Sequence, residues 1–201
     1  MTKIKICGIR RSEDIDYINE LQPDYIGFVF AKSKRRVDEK QAFDLLKNLS
    51  ENIKKVGVFV DEDPVRVVEI AEKLKLDVLQ FHGQENQKYI NMFRGYEIWK
   101  MIKINNTESM NKMENYTCSK FLLDNSIAGS GEKFNWNLVG EKVKGTSIIL
   151  AGGLTNENVA KGIKQLKPYG VDVSSGVETN GFKDYKKIKE FIRKVRELDE
   201  R

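Results

Sequence analysis

Histidine is almost missing from this sequence: His82 is the only one in 201 residues. A multi-histidine metal centre is thereby excluded, and one His and one Cys on separate strand ends do not make a zinc site. Cysteine is nearly as scarce. Cys7 and Cys118 are too few for a disulfide framework and point to a reducing compartment. Proline is held to three residues, and no linker, low-complexity tract or domain boundary breaks the chain. The longest apolar run, Tyr25 to Ala31, falls far short of the ~18 residues of a membrane span. Residues 1–6 lack the apolar core of a signal peptide, so a cytoplasmic location is expected. Apolar residues, 40% of the chain, recur in every segment, which excludes disorder.

Charge of one sign is in small excess, 35 basic against 30 acidic side chains. A net charge of +5 suits an anionic partner, although Lys and Glu lie side by side along most of the chain. Only Lys32-Ser33-Lys34-Arg35-Arg36 is a concentrated basic cluster, too short for a nucleic-acid stripe. Charge alone leaves nucleic acid, a phosphorylated metabolite or a membrane surface open as that partner, and the shortness of the cluster counts against nucleic acid.

What is present is a repeated grammar of short apolar runs and longer amphipathic ones. Strands are expected at Lys3–Cys7, Tyr25–Phe30, Lys55–Val60, Val78–Phe81, Glu97–Ile102, Lys120–Asp124, Ser147–Ala151 and Val171–Ser174. Helices are expected from Ser12 to about Leu21, over Asp38–Leu49, after Asp63-Pro64, over Glu85–Phe93 and Asn135–Val143, then over Asn156–Leu166 and Asp184–Leu198. The polar stretch from Asn105 to Tyr116 leaves room only for a short helix. Continuously apolar strands imply a parallel sheet covered by helices. Eight strand–helix units in one α/β domain over residues 1–201 fit a single (β/α)₈ TIM barrel, at roughly 25 residues a unit. An open doubly wound sheet fits less well, because Cys7-Gly8-Ile9-Arg10 is no dinucleotide fingerprint.

In such a barrel, chemistry sits at the C-terminal strand ends. Cys7 ends the first strand, where a thiol is either inert packing or a thiolate base or nucleophile. Asp124 ends the apolar Phe121-Leu122-Leu123, where a carboxylate has few structural reasons to be and suits a general acid or base. His82 reads as a hydrogen-bonded strand-end residue, Cys118 as incidental, and Trp99 and Trp136 as core or loop packing. Glycines gather after strands six to eight: Gly129-Ser130-Gly131, Gly152-Gly153, and Gly176 behind Ser174-Ser175. Loops seven and eight are the usual phosphate cradle of this fold, because glycine lets backbone N–H groups approach an anion.

Taken in order, these residues resemble phosphoribosylanthranilate isomerase of tryptophan biosynthesis. The likeness is carried by Lys5-Ile6-Cys7-Gly8-Ile9, Gly27-Phe28-Val29-Phe30 with Ser33-Lys34-Arg35, and Gly57-Val58-Phe59-Val60. It continues through Gln80-Phe81-His82-Gly83, Leu122-Leu123-Asp124, Phe134-Asn135-Trp136, Ala151-Gly152-Gly153-Leu154 and Asp172-Val173-Ser174-Ser175-Gly176-Val177-Glu178. The resemblance implies an Amadori rearrangement of N-(5-phosphoribosyl)anthranilate without cofactor or metal. It makes Asp124 the general acid, Cys7 the general base and Asp172 a further acidic residue of the site. It gives Arg35 the anthranilate carboxylate, with Arg36 as the alternative because the two are adjacent. The related isomerase of histidine biosynthesis carries aspartate where Cys7 stands, which separates the two readings.

Overall fold

The computed structural model describes residues 1–124 and 147–200. The helix expected over Asn135–Val143 and the glycines of Gly129-Ser130-Gly131 lie outside the described residues.

Eight parallel strands close into a barrel in chain order: β1 (Lys3–Cys7), β2 (Tyr25–Val29), β3 (Lys54–Phe59), β4 (Val78–Phe81), β5 (Glu97–Lys103), β6 (Lys120–Asp124), β7 (Ile148–Ala151) and β8 (Gly170–Val173). Closure is made by β8 on β1, with Lys5 beside Asp172 and Ile4 beside Val171. Helices α1 (Ser12–Leu21), α2 (Glu39–Leu46), α3 (Pro64–Leu74), α4 (Gln87–Ile90), α5 (Val159–Leu166) and α6 (Tyr185–Asp199) connect or follow the strands. The polar Thr107–Asn115 stretch forms 3-10 turns, and β8 is followed by a single 3-10 turn at Ser175–Val177. A small antiparallel hairpin, β9 (Glu178–Thr179) and β10 (Phe182–Lys183), precedes α6.

Successive side chains of a strand face opposite ways, so each strand feeds two cores. Ile4, Ile6, Phe28, Leu79, Leu123, Leu150 and Val171 pack outward beneath the helices. Tyr25, Val56, Val78, Trp99, Leu122, Ile149 and Ala151 fill the barrel interior. On β1 this alternation turns Lys5 and Cys7 inward with the second set.

The helix boundaries follow local chemistry. The Asp63 carboxylate accepts from the Val65 N–H at 2.8 Å, with Pro64 next in line, and Lys75 ends α3 in the left-handed region at φ 50°. The helix expected over Glu85–Phe93 is cut to Gln87–Ile90: it ends in a turn at Asn91–Met92, and at its start Glu85 is claimed elsewhere. Its buried carboxylate accepts from the Asp61 N–H and from Lys100 Nζ, while Asn86 caps the helix that begins after it. At the opposite end of the barrel from the strand C-termini, Asp24 accepts from Lys3 Nζ, the Ile4 N–H and Arg196 Nη2. Thr2 is tied to Asp199 there by its N–H and its hydroxyl. No helix among the described residues is long and apolar enough to cross a membrane.

Candidate active site

A cavity of about 360 Å³ opens at the C-terminal ends of the strands. It gathers Cys7, Arg35, Asp124, Gly152, Gly153, Asp172, Ser174 and Ser175, eight of the residues that the sequence nominates. Its apolar wall comes from Val29, Val58, Val60, Leu122 and Leu154.

Cys7 stands at the end of β1, half-buried, with Lys5 two residues earlier on the same face. Lys5 is wholly buried, and its Nζ donates to Asp172 Oδ2 at 2.8 Å, across the seam that closes the barrel. The same ammonium and the Cys7 sulfur flank Gly27 together, where a Cβ would lie 3.1 Å from Lys5 Nζ and 2.8 Å from Cys7 Sγ. Burial pushes the Cys7 thiol above its ordinary value, and the charge of Asp172 adds to that, while Lys5 and Lys183 pull the other way. Asp172 Oδ1 is buried without a hydrogen-bond partner among the described residues, on a side chain that lines the cavity.

Asp124 ends β6 three strands away from Cys7 around the barrel. Its Oδ2 lies 3.4 Å from His82 Nε2, and Gln80 Nε2 lies 3.3 Å from His82 Nδ1. The imidazole thus bridges the Gln80 amide and the Asp124 carboxyl, one ring nitrogen to each. His82 is therefore a strand-end residue with partners, as its sequence reading holds, and also part of the cavity lining. The signal was present in the spacing, because Val78, Gln80 and His82 share one face of the β4 register.

Arg35 follows β2 and reaches the cavity with its guanidinium already on Glu178. Nε donates to Oε1 at 2.7 Å and Nη2 to Oε2 at 2.6 Å. Glu178 also accepts from the buried Lys183 Nζ at 2.6 Å. Burial raises the Glu178 carboxyl, but the bonds from Arg35 and Lys183 win and hold it below the usual range. Arg36 is exposed, donates from Nε to the Phe30 carbonyl at 3.2 Å and is absent from the cavity lining. Of the adjacent arginines, Arg35 is the one that lines the cavity.

Loops seven and eight meet at the remaining side. Gly152 and Gly153 both take left-handed backbone, at φ 75° and 65°, which L side chains rarely adopt. The Ser174 hydroxyl donates to the Cys7 carbonyl at 3.0 Å, and Lys183 Nζ donates to the Ser174 carbonyl at 3.1 Å. Gly176 stands behind the lining rather than in it. A Cβ there would lie 1.9 Å from the Leu154 carbonyl oxygen, so this glycine is what lets loop eight press against loop seven. Lys5, Glu178 and Lys183 are the site residues that sequence reasoning missed as actors.

The arrangement sets a thiol and a carboxyl around one apolar-walled cavity, with a cationic fork and a glycine–serine cradle at its rim. It suits proton transfers on a small anionic molecule. Residues 4–194 match the family described as N-(5'-phosphoribosyl)anthranilate (PRA) isomerase. The N-(5'-phosphoribosyl)anthranilate isomerase of Caldanaerobacter subterraneus subsp. tengcongensis is 53% identical over 200 residues, covering 98% of each chain. The crystal structure of phosphoribosyl anthranilate isomerase from Thermotoga maritima superposes with a TM-score of 0.89 at 34% identity, over 98% of this chain and 100% of that one. A structure of such an isomerase in complex with reduced 1-(o-carboxyphenylamino)-1-deoxyribulose 5-phosphate gives a TM-score of 0.87 at 33% identity, with the same coverage.

Proposed function

The chain belongs to the N-(5'-phosphoribosyl)anthranilate isomerase family, and from that premise we propose how its own residues divide the reaction. It is an aldose–ketose isomerase of tryptophan biosynthesis. It converts N-(5-phosphoribosyl)anthranilate to 1-(2-carboxyphenylamino)-1-deoxyribulose 5-phosphate by general acid–base catalysis.

Asp124, in its protonated form, gives its proton to the ribose ring oxygen. The C1′–O bond breaks as the anthranilate nitrogen lone pair forms the C1′=N iminium. The Cys7 thiolate then takes the C2′ proton. The C2′–H electron pair becomes the C1′=C2′ bond of an enolamine, and the iminium pair returns to nitrogen. Loss of the C2′ hydroxyl proton and protonation at C1′ deliver the ketone. Acid and base must act at different atoms, and the cavity supplies one group from β6 and one from β1. Arg35 binds the anthranilate carboxylate through its planar fork. Gly152, Gly153, Ser174 and Ser175 hold the 5′-phosphate, with Gly176 packed behind them, and the family resemblance adds Gly129, Ser130 and Gly131 to the substrate-binding residues. Asp172 Oδ1 accepts from a substrate hydroxyl.

The observation that carries this reading is the convergence of Cys7 and Asp124 on one cavity from separate strands. The test follows loss of substrate fluorescence with purified protein. Cys7→Ser and Asp124→Asn should each lower kcat by ~10²–10⁴-fold, the usual worth of a placed acid or base. Both should still bind a reduced product analogue. A Cys7→Ser enzyme with most of its kcat would remove the thiol from the mechanism.

The same reading takes residues 1–201 as one barrel domain, a cytoplasmic enzyme without a nucleic-acid or membrane partner. Its assembly is monomer or homodimer, and the Thermotoga maritima isomerase is described as dimeric, with monomers generated from it.

A further inference from the structure

Lysine inside a barrel needs a reason. Lys5 has a side chain 1% exposed, and a buried ammonium persists only when paired. Asp172 takes one of its N–H groups. The Cys7 sulfur is its neighbour on that side, because residues 5 and 7 share one face of β1. The neighbouring strand leaves room for this contact. A Cβ on Gly27 would lie 2.8 Å from Cys7 Sγ, 3.0 Å from Lys5 Cε and 3.1 Å from Lys5 Nζ. The absent side chain is the space in which the ammonium and the sulfur meet.

We propose that Lys5 is a positioning residue for the isomerisation: its ammonium, bound to Asp172 and set beside the Cys7 sulfur, offsets part of the cost of forming the thiolate in this buried site. The role of Cys7 as base is taken from the proposed function. Lys5 keeps its three protons throughout, and the proton from C2′ goes to sulfur. Every other charge around the sulfur can be named. Asp172 of β8 opposes the thiolate, Lys183 of β10 favours it, and Arg35 of the loop after β2 interacts with it favourably, while β2 itself offers only Gly27. Among the charged side chains that act on the thiol, Lys5 has the largest effect, followed by Asp172 with the opposite sign. A substrate hydroxyl donating to the unpartnered Asp172 Oδ1 draws off part of that opposing charge. Substrate binding therefore strengthens the hold of Lys5 on the sulfur.

The test reads the thiol directly. In a Cys118→Ser background, the rate of Cys7 alkylation by iodoacetamide is followed against pH in the full-length protein, beside the pH profile of kcat. Lys5→Met should move the alkylation midpoint up by one unit or more, since an opposite charge within ~4–6 Å shifts a group by about 1–3 units. Reactivity at neutral pH then falls about tenfold for each unit. Lys5→Arg should stay near the parent, and Asp172→Asn should move the midpoint down. The kcat of Lys5→Met should recover as pH rises past the new midpoint, with KM little changed. Should Lys5→Met not fold with Asp172 left unpaired, Lys5→Met is compared within Asp172→Asn, where neither buried charge is stranded, and should again raise the midpoint. A midpoint that stays put on loss of the ammonium, or a kcat loss equal at every pH, overturns the proposal. The two failures separate cleanly. Substantial activity in Cys7→Ser defeats the base assignment, whereas an inactive Cys7→Ser with unmoved alkylation midpoints defeats only the role of Lys5.

Discussion

Arg35 reaches the cavity already holding a carboxylate, and this shapes what its loss would do. Two of its five N–H donors go to Glu178, so a planar ligand carboxylate must meet another edge of the fork. Arg35→Ala removes that edge and strands Glu178 on Lys183 alone. A hydrogen bond to a charged group is worth about 1.5–3 kcal/mol, so kcat/KM should fall by roughly ten- to a hundredfold. Arg36→Ala should leave kcat/KM near the parent, because Arg36 lies outside the cavity. Steady-state kinetics on both variants checks this, and a larger loss in Arg36→Ala would move the assignment by one residue. Cys7 and Asp124 were legible in the sequence because each is a polar residue closing an apolar strand. Lys5 was not. In Lys3-Ile4-Lys5-Ile6-Cys7 the alternation looks like a strand with one wet face, and only barrel closure turns that face into an interior. The Arg35–Glu178 pair spans 143 residues, and ion pairs that distant leave no local pattern to read.

At the scale of elements, eight strands were readable because β-branched and aromatic runs recur between capped helices. The largest error was α4. Its amphipathic pattern is sound, but the buried Lys100–Glu85 pair outcompetes the first helical turn. Loops seven and eight differ in why they need glycine, and that difference is measurable. Gly153→Ala meets nothing within 4 Å and faces only the backbone cost of φ 65°, of order 1–2 kcal/mol. Gly176→Ala drives a methyl into the Leu154 carbonyl at 1.9 Å, where backbone must yield at ~1–3 kcal/mol or more. Thermal melts should rank Gly176→Ala as the less stable of the two. Its discrimination between phosphorylated and phosphate-free substrate should also shrink, because loop eight moves off loop seven. Equal selectivity in parent and Gly176→Ala would show that the loops bind independently.

At the scale of the molecule, Asp24 is a hub where β1, β2 and α6 meet below the barrel. Burial raises its carboxyl, but the hydrogen bonds from Lys3, the Ile4 N–H and Arg196 outweigh that and hold it below its ordinary value. A group held low in the folded state stabilises fully above its unfolded value and loses that contribution as pH falls through the folded one. Melting temperature should therefore drop as pH falls below about 4, the ordinary value of an aspartate. Asp24→Asn should melt lower at neutral pH and show a smaller further drop in acid, measured by circular dichroism at both pH values. An identical acid drop in both proteins would take Asp24 out of the account. The seam beside this hub has a consequence in time. Residues 3–6 find their β8 partners more than 160 positions downstream, and a ribosome adding ~5–20 residues each second leaves that first edge waiting unzipped for seconds or longer. Lys5 meets Asp172 only across that seam, so the nascent barrel lacks the pair until it shuts. The cavity takes Cys7 from the first strand and Asp172 from the eighth, so it gains its shape only when the ring has closed.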